Sequence, residues 1–230
     1  MPDPKFVHAA FSSIASRYVT ANHVLSLGAD VLWRERAIKI ISEWKPRDLL
    51  DIATGTGDLA LAIQKAMPEV AVQGTDFCRP MLDVAVQRGL SNVFEADAMN
   101  LPLPDACFDA ATVAFGLRNM ENYERALREF HRILRPGGHL LVLDFSMPEG
   151  VLAKPYRFYL HRILPRIAGL LTGNAGAYDY LGESIEQFPR GEQFKELLQH
   201  CGYAKPTALP LLCGIATIYT GEKPAAESGR

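Results

Sequence analysis

The most diagnostic run in this chain is Leu49-Leu50-Asp51-Ile52-Ala53-Thr54-Gly55-Thr56-Gly57-Asp58-Leu59. An apolar segment ends in an acidic residue, passes through two glycines and continues into residues that favour a helix. Glycine permits tight turns and lets the backbone approach a ligand closely, and the next helix offers unpaired amides to an anionic group. This order of strand, glycine loop and helix is typical of a nucleotide-type site at the carboxyl edge of a parallel sheet.

Apolar runs and helix-compatible segments alternate on both sides of this loop. The predicted strands cover residues 48–53, 71–76, 92–96, 108–115 and 138–145, with helices at 58–66, 80–87 and 123–134. The last of these helices is expected to stop at a turn formed by Arg135-Pro136-Gly137-Gly138. A later helix at 192–201 precedes two further strand-like runs, 207–212 and 215–220, which suit a terminal hairpin on the sheet edge. The alternation predicts an α/β fold with a doubly wound, seven-stranded, mostly parallel sheet.

Bulk composition excludes several classes of protein. The chain has 230 residues and a formal net charge of −2, which suits a globular protein and disfavours nucleic acid as the main partner. Its four cysteines form no CxxC pair and its six histidines show no metal-ligand spacing, so reduced thiols and no metal are expected. Neither a signal peptide nor an apolar stretch of ~20 residues is evident, which predicts a cytoplasmic protein.

Three aspartates stand at the ends of the first three predicted strands: Asp51, Asp76 and Asp97. Carboxylates in these places can hold a cationic amino group, two ribose hydroxyls and the exocyclic amine of adenine. S-adenosylmethionine carries all three groups and no pyrophosphate. Two other interpretations stay open: the aspartates are caps or turn residues, or the loose match Gly55-x-Gly57-x-x-Ala60 marks a dinucleotide site.

Four further strings carry a more specific resemblance. They are Leu134-Arg135-Pro136-Gly137-Gly138-His139-Leu140, Ala114-Phe115-Gly116-Leu117-Arg118-Asn119, Leu143-Asp144-Phe145-Ser146-Met147-Pro148 and Tyr178-x-Tyr180-Leu181-x-Glu183-Ser184-Ile185-x-x-Phe188-Pro189. With the glycine loop, they resemble the ubiquinone/menaquinone-biosynthesis C-methyltransferase family, whose class I fold binds S-adenosylmethionine and whose members methylate a ring carbon of prenylated quinols. The similarity covers about residues 11–221.

The resemblance implies one domain, residues 1–222, whose successive regions have different roles. A helical cap (1–45) precedes the cofactor-binding core (46–147), a helical lid over the substrate (148–189), and a C-terminal helix with a β-hairpin (190–222); residues 223–230 are expected to be a disordered tail. The residues expected around the cofactor are Asp51, Gly55, Thr56, Gly57, Asp76, Phe77, Asp97, Ala98 and Ala114. Many relatives carry Ser where Ala114 stands, so a hydroxyl contact is lost or replaced here. The N-terminal strings 18–22 and 28–34 also depart from the commonest family pattern.

Methylation at a ring carbon requires an activated acceptor. Deprotonating the quinol hydroxyl makes the neighbouring carbon electron-rich, which calls for a base or a water path and for a cation beside the oxyanion. Arg118 is the candidate cation, Asn119 is expected to orient the hydroxyl or a water, and Tyr18 to bond to the quinol oxygen. The alternatives are that Arg118 pairs with a surface carboxylate such as Glu121, that Asn119 caps the next helix, and that Tyr18 is core packing.

Substrate selectivity is expected in the segment 155–188, which is rich in apolar and aromatic residues. The predicted substrate contacts are Phe115, Tyr159, Tyr178 and Tyr180. Lys154, Arg157, Arg162 and Arg166 alternate with the apolar positions, which favours peripheral contact with anionic lipid; an ordinary amphipathic helix packed on the sheet is the alternative.

The preferred acceptor is expected to be demethylmenaquinol, with a methoxy-polyprenyl-benzoquinol second. Three other functions remain open: a methyltransferase for another small hydrophobic acceptor, a non-catalytic cofactor-binding scaffold, and, last, an NAD-dependent oxidoreductase. The sequence is compatible with a monomer and with a homodimer.

Overall fold

The computed structural model describes residues 28–166 and 176–225, without the side chains of residues 176–181. The helices in these ranges are α1 (Ala29–Trp44), α2 (Asp58–Ala66), α3 (Arg79–Gln87), α4 (Tyr123–Ile133), α5 (Ala153–Phe158), α6 (Gly176–Gln187) and α7 (Glu192–His200). The strands are β1 (Asp48–Ile52), β2 (Ala71–Asp76), β3 (Val93–Glu95), β4 (Phe108–Ala114), β5 (Leu134–Phe145), β6 (Ala204–Leu211) and β7 (Ala216–Glu222). Short 3-10 turns cover Leu117–Asn119, Gly150–Leu152 and Leu212–Gly214, and a π-turn at Tyr159–Ile163 continues α5.

The described strands form one seven-stranded sheet in the order β3-β2-β1-β4-β5-β7-β6. Strands β1 to β5 pair in parallel, whereas β7 runs antiparallel to both β5 and β6. The predicted fold class and its terminal hairpin are therefore confirmed. The chain order reverses between β1 and β4, and such a switch point opens a crevice at the carboxyl ends of the strands.

The strands are buried on both faces of the sheet, as parallel strands covered by helices must be. Successive side chains alternate between two hydrophobic clusters. Leu50, Ile52 and Val142 pack with the residues of α4 and α7, while Leu49 and Leu141 pack with those of α1 and α2. In α1 the buried positions Trp33, Ala37 and Ile41 recur every four residues, so this helix lies on the sheet.

Strand β5 starts four residues earlier than the sequence predicts, and the expected turn at residues 135–138 lies inside it. The register with β4 jumps there, since Phe108 pairs with Leu134 and Ala110 pairs with His139. A Cβ on Gly138 would stand 2.8 Å from the Arg135 carbonyl oxygen and 3.0 Å from that of Asp109. The glycine therefore lets an irregular segment stay within the sheet.

Lys223, the first residue of the predicted tail, is bonded to the end of α4. Its ammonium group donates hydrogen bonds to the carbonyls of His131 at 2.8 Å and Leu134 at 2.7 Å. Carbonyls at a helix C-terminus lack partners within the helix, and a cation there satisfies them. Lys223 therefore stabilises the junction between α4 and β5.

Candidate active site at the carboxyl ends of the strands

The glycine loop leaves β1 through an abrupt turn. Gly55 and Gly57 have φ angles of +57° and +80°, in the left-handed region that favours glycine. A Cβ on Gly57 would lie 3.3 Å from side-chain carbons of Ala85 and Leu90, so α3 packs directly against the loop. The turn is thereby held in place by the helix behind it.

Asp51 is a buried carboxylate at the end of β1, with 2% of its surface exposed. The hydroxyls of Thr54 and Thr112 each donate a hydrogen bond of 2.6 Å to it. Burial raises the pKa of Asp51 to about 6, although these two hydrogen bonds oppose the shift. A buried carboxylate bonded by neutral hydroxyls fits a ligand that brings a positive charge, such as the amino group of S-adenosylmethionine.

Asp76 ends β2 and ties that strand to the glycine loop. Its carboxylate accepts hydrogen bonds from the backbone amides of Gly55 at 2.8 Å and Cys78 at 2.9 Å. Phe77 follows and is 36% exposed at the rim. The structure thus bonds Asp76 to the glycine loop, and the predicted contacts of Asp76 and Phe77 with a cofactor stay predictions.

Asp97 and Ala98 follow β3 in a surface turn. The exposed Asp97 carboxylate accepts a hydrogen bond of 2.9 Å from the Met99 amide. Thr56 is buried, and its hydroxyl donates to Asp58 at 3.2 Å, while its carbonyl accepts from Arg88 at 2.7 Å. Asp97 and Thr56 thus each form hydrogen bonds that stabilise their own loops. The cofactor contacts predicted for these two residues stay predictions.

The loops after β1 and β4 meet at the switch point. Phe115 follows the half-buried Ala114 and has a φ of +58°, a strained value for a side chain of this size. A Cβ on Gly116 would lie 2.6 Å from the Cβ of Ala53. Glycine at 116 is therefore a condition for the two loops to touch.

We expect Gly116→Ala to lower the free energy of unfolding by about 1–3 kcal/mol, because the added methyl forces the two loops apart. Adding Ala53→Gly should restore most of the loss, since it removes the opposing methyl at a residue whose φ is +52°. Thermal or urea unfolding of both variants checks this. No recovery in the double variant would contradict the proposed contact.

Arg118 lies in the 3-10 turn after β4 and is buried. Its Nη1 donates to the Asp144 carboxylate at 2.5 Å and to the Phe115 carbonyl at 2.6 Å. The side chains of Arg118 and Asp144 are 5% and 0% exposed. The guanidinium carbon stands 5.2 Å from the centre of the Phe145 ring. The alternative pairing with Glu121 is thus wrong: Arg118 pairs with an aspartate at the end of β5.

Nε is the buried donor of Arg118 that is left without a hydrogen-bond partner within the described residues. A buried, unpaired donor on a charged group is costly, and a ligand oxygen would relieve that cost. This unpaired donor is compatible with the role expected of Arg118, and its contact with an acceptor stays a prediction.

Asn119 does not cap the following helix, so that alternative is also wrong. Asn122 caps α4, accepting a hydrogen bond of 2.9 Å from the Arg125 amide. The Asn119 amide instead donates to the Phe115 carbonyl at 3.3 Å. Arg118 and Asn119 therefore share one carbonyl and lie side by side.

Aromatic rings form a wall at the ends of β4 and β5. Phe115 and Phe145 have ring centres 4.6 Å apart, and Trp33 of α1 stands 5.9 Å from each. Tyr156 and Tyr159 of the α5 segment stack at 6.1 Å and pack on the cluster that contains Phe145. Tyr18 lies outside the described residues, as do the side chains of Tyr178 and Tyr180, so these predicted contacts stay predictions.

Several residues of this site escaped the prediction from sequence, among them Asp144, Thr112 and Tyr156. Asp144 could have been found, because it stands near the end of β5 just as Asp51, Asp76 and Asp97 follow the ends of earlier strands. Thr112 could not, since its place opposite Asp51 depends on β4 lying beside β1. Tyr156 lies in the aromatic segment 155–188, where the predicted substrate contacts are Tyr159, Tyr178 and Tyr180.

Comparison with known proteins agrees with this geometry. Residues 2–223 match the ubiE/COQ5 methyltransferase family. The chain belongs to this family. It is accordingly an S-adenosylmethionine-dependent methyltransferase.

Two relatives and one solved structure illustrate the similarity. The chain is 48% identical to a demethylmenaquinone methyltransferase from Thermus thermophilus, over 93% of this chain and 100% of the relative. It is 41% identical to a ubiquinone/menaquinone biosynthesis C-methyltransferase UbiE from Bdellovibrio bacteriovorus, over 96% and 97% of the two chains. A methyltransferase structure from Thermotoga maritima superposes with a TM-score of 0.56 at 22% identity, covering 90% of this chain and 99% of that one. This last likeness concerns the fold alone.

Proposed function

We propose that this methyltransferase transfers a methyl group to a ring carbon of a prenylated quinol, with demethylmenaquinol as the preferred acceptor. One observation carries the proposal. Arg118 has a buried Nε–H without a partner among the described residues, and it lies beside the aromatic ring of Phe145 at the switch point. A planar phenolic acceptor needs both features. The printed function of the Thermus relative, at 48% identity, supports the same acceptor.

The residues around the glycine loop suit S-adenosylmethionine. Asp51 would hold its amino group, the loop at Gly55 and Gly57 would admit it closely, and Asp76 would face its ribose. Asp97 and Ala98 would contact the adenine, and Ala114 would line the cofactor site. When bound, this group supplies a methyl carbon made electrophilic by the adjoining sulfonium.

At the acceptor, the protein's own side chains position and polarise the ring. Phe115, Phe145 and Trp33 offer apolar faces to the rings, while Arg118 stabilises negative charge on the quinol oxygen. Asn119 orients that oxygen or a water, and Tyr18 is proposed to reach the same oxygen from the N-terminal cap. The overall reaction replaces a ring hydrogen by a methyl group and releases one proton.

The direct test supplies methyl-labelled S-adenosylmethionine and a panel of reduced acceptors. The panel contains short-chain prenyl-naphthoquinols, methoxy-prenyl-benzoquinols and simple phenols. We expect label in the ring of the demethylated naphthoquinol. Label only in a non-prenylated phenol would replace the proposed acceptor class, and no transfer to any member would favour a cofactor-binding scaffold.

Residues 148–189 are proposed to form the lid, and its outer face is proposed to touch an anionic membrane. Val151, Leu152, Phe158 and Ile163 are exposed by 92%, 44%, 61% and 37%. Lys154 and Arg162 are exposed among them. Arg157 is set apart, because it donates to Glu186 of α6 at 2.7 Å. Apolar groups beside cations that have no ion-pair partner among the described residues favour contact with acidic head groups. None of the described helices is long and apolar enough to span a bilayer.

Reversing two charges tests the membrane contact. Lys154→Glu with Arg162→Glu should weaken binding to phosphatidylglycerol vesicles by about tenfold or more, because each cation near the surface contributes about 1 kcal/mol. The matched control, Lys45→Glu with Lys65→Glu, changes the same charge before β1 and β2, at the opposite edge of the sheet. Equal co-sedimentation of both variants would exclude the α5 face as the contact.

A further inference from the structure

Tyr156 is a half-buried aromatic residue of α5, whereas Phe158 of the same helix is exposed. Its ring packs on the cluster of Met147, Leu160 and Ile185, which Phe145 also contacts. The Arg118 guanidinium lies over that same Phe145 ring. Tyr156 and Phe145 therefore pack on the same cluster of three side chains, and Arg118 lies over the second of these rings.

The two polar groups also interact electrostatically. Burial raises the pKa of Tyr156, and the positive charge of Arg118 lowers it by a smaller amount. The phenol thus stays protonated at working pH and acts as a hydrogen-bond donor. The Nη1 of Arg118 donates to Asp144 and to the Phe115 carbonyl. Its Nε is buried and has no partner among the described residues.

The half-buried Tyr156 hydroxyl and the buried Nε–H of Arg118, which has no partner among the described residues, are two hydrogen-bond donors on side chains gathered around the same cluster. We propose that Tyr156 is a substrate-binding residue that, with Arg118, holds one phenolic oxygen of the acceptor. Because Tyr156 belongs to the lid, the acceptor oxygen itself would link the lid to the 3-10 turn. This inference rests on the proposed function and adds a residue and a contact to it.

The test compares Tyr156→Phe with the wild-type protein. This change removes one hydroxyl and keeps the ring, so packing on Met147 and Leu160 is preserved. Losing one hydrogen bond to an ionising oxygen should reduce kcat/KM for the quinol about tenfold. The affinity for S-adenosylmethionine, measured by calorimetry, should stay within twofold.

A matched control removes a tyrosine hydroxyl elsewhere. Tyr203 is buried against α4 and donates to the Leu127 carbonyl at 3.0 Å. Tyr203→Phe should lower the melting temperature but leave both kinetic constants unchanged. An unchanged kcat/KM in Tyr156→Phe, or an equal loss in Tyr203→Phe, overturns the inference.

A second measurement separates this inference from the proposed function. The protein saturated with S-adenosylhomocysteine is titrated with a short-chain naphthol, and its affinity is compared between wild type and Tyr156→Phe. About tenfold weaker binding supports the contact, even if no prenylated quinol is turned over. Equal affinity refutes it, even if the wild-type protein methylates demethylmenaquinol.

Discussion

Arg118→Ala is expected to lower the free energy of unfolding by about 3–5 kcal/mol, because it leaves the Asp144 carboxylate buried without a counter-charge. Asp144 is fully buried, and burial already raises its pKa against the opposing effect of Arg118. Turnover should fall below detection, since the cation beside the acceptor is lost as well. Chemical unfolding measures the first effect and labelled methyl transfer the second.

The double variant Arg118→Met with Asp144→Leu separates the two effects. Replacing a buried pair by apolar groups of similar size is often neutral or stabilising, so the fold should recover while turnover stays lost. Arg128→Ala is the matched surface control: its pair with Glu124 is 49% and 42% exposed and should contribute less than about 0.5 kcal/mol. Turnover restored in the double variant would remove Arg118 from the chemistry.

Asp51→Asn is expected to stabilise the ligand-free protein and to weaken binding of S-adenosylmethionine. Folding raises the pKa of Asp51 from 3.8 to about 6, which corresponds to a cost of about 3 kcal/mol for the ionised side chain at pH 7. Asparagine carries no charge and can still bond with the hydroxyls of Thr54 and Thr112. The cationic amino group of S-adenosylmethionine then lacks its carboxylate partner. The free energy of binding this ligand should therefore become less favourable by about 2 kcal/mol or more.

The pH dependence gives this prediction its sign. The folded protein holds the Asp51 proton more tightly than the unfolded chain, so wild-type stability attributable to this group is present below about pH 4 and is lost as the pH rises towards 6. The stability advantage of Asp51→Asn should accordingly be full at pH 7, shrink below pH 6 and vanish near pH 4. Urea unfolding at four pH values measures it, with calorimetry for the ligand. A variant less stable than wild type at pH 7 would show that Asp51 is not destabilising in the fold.

Local patterns carried much of the fold. Strand β2 and helix α2 have the predicted bounds, and most other predicted elements lie within a few residues of theirs, because apolar periodicity and helix stops act over a few neighbours. The clear departure is β5, where Pro136 and two glycines signal a turn but pairing with β4 holds the segment in the sheet. Proline and glycine show only which backbone conformations are locally accessible. Pairing with β4 decided that this segment belongs to the sheet.

The sequence by itself determined the fold class, the family and the set of acidic strand ends, because these depend on residue order and spacing. Only the tertiary structure decided the partners of those residues: Thr112 opposite Asp51, Asp144 against Arg118, and Tyr156 packed on the same cluster as Phe145. These pairs lie 26 or more residues apart in all but one case, and that case joins β5 to the lid. Strand order and helix docking bring such groups together. Burial then changes their pKa values and leaves the Nε–H of Arg118 without a partner among the described residues. No local pattern of residues encodes these effects.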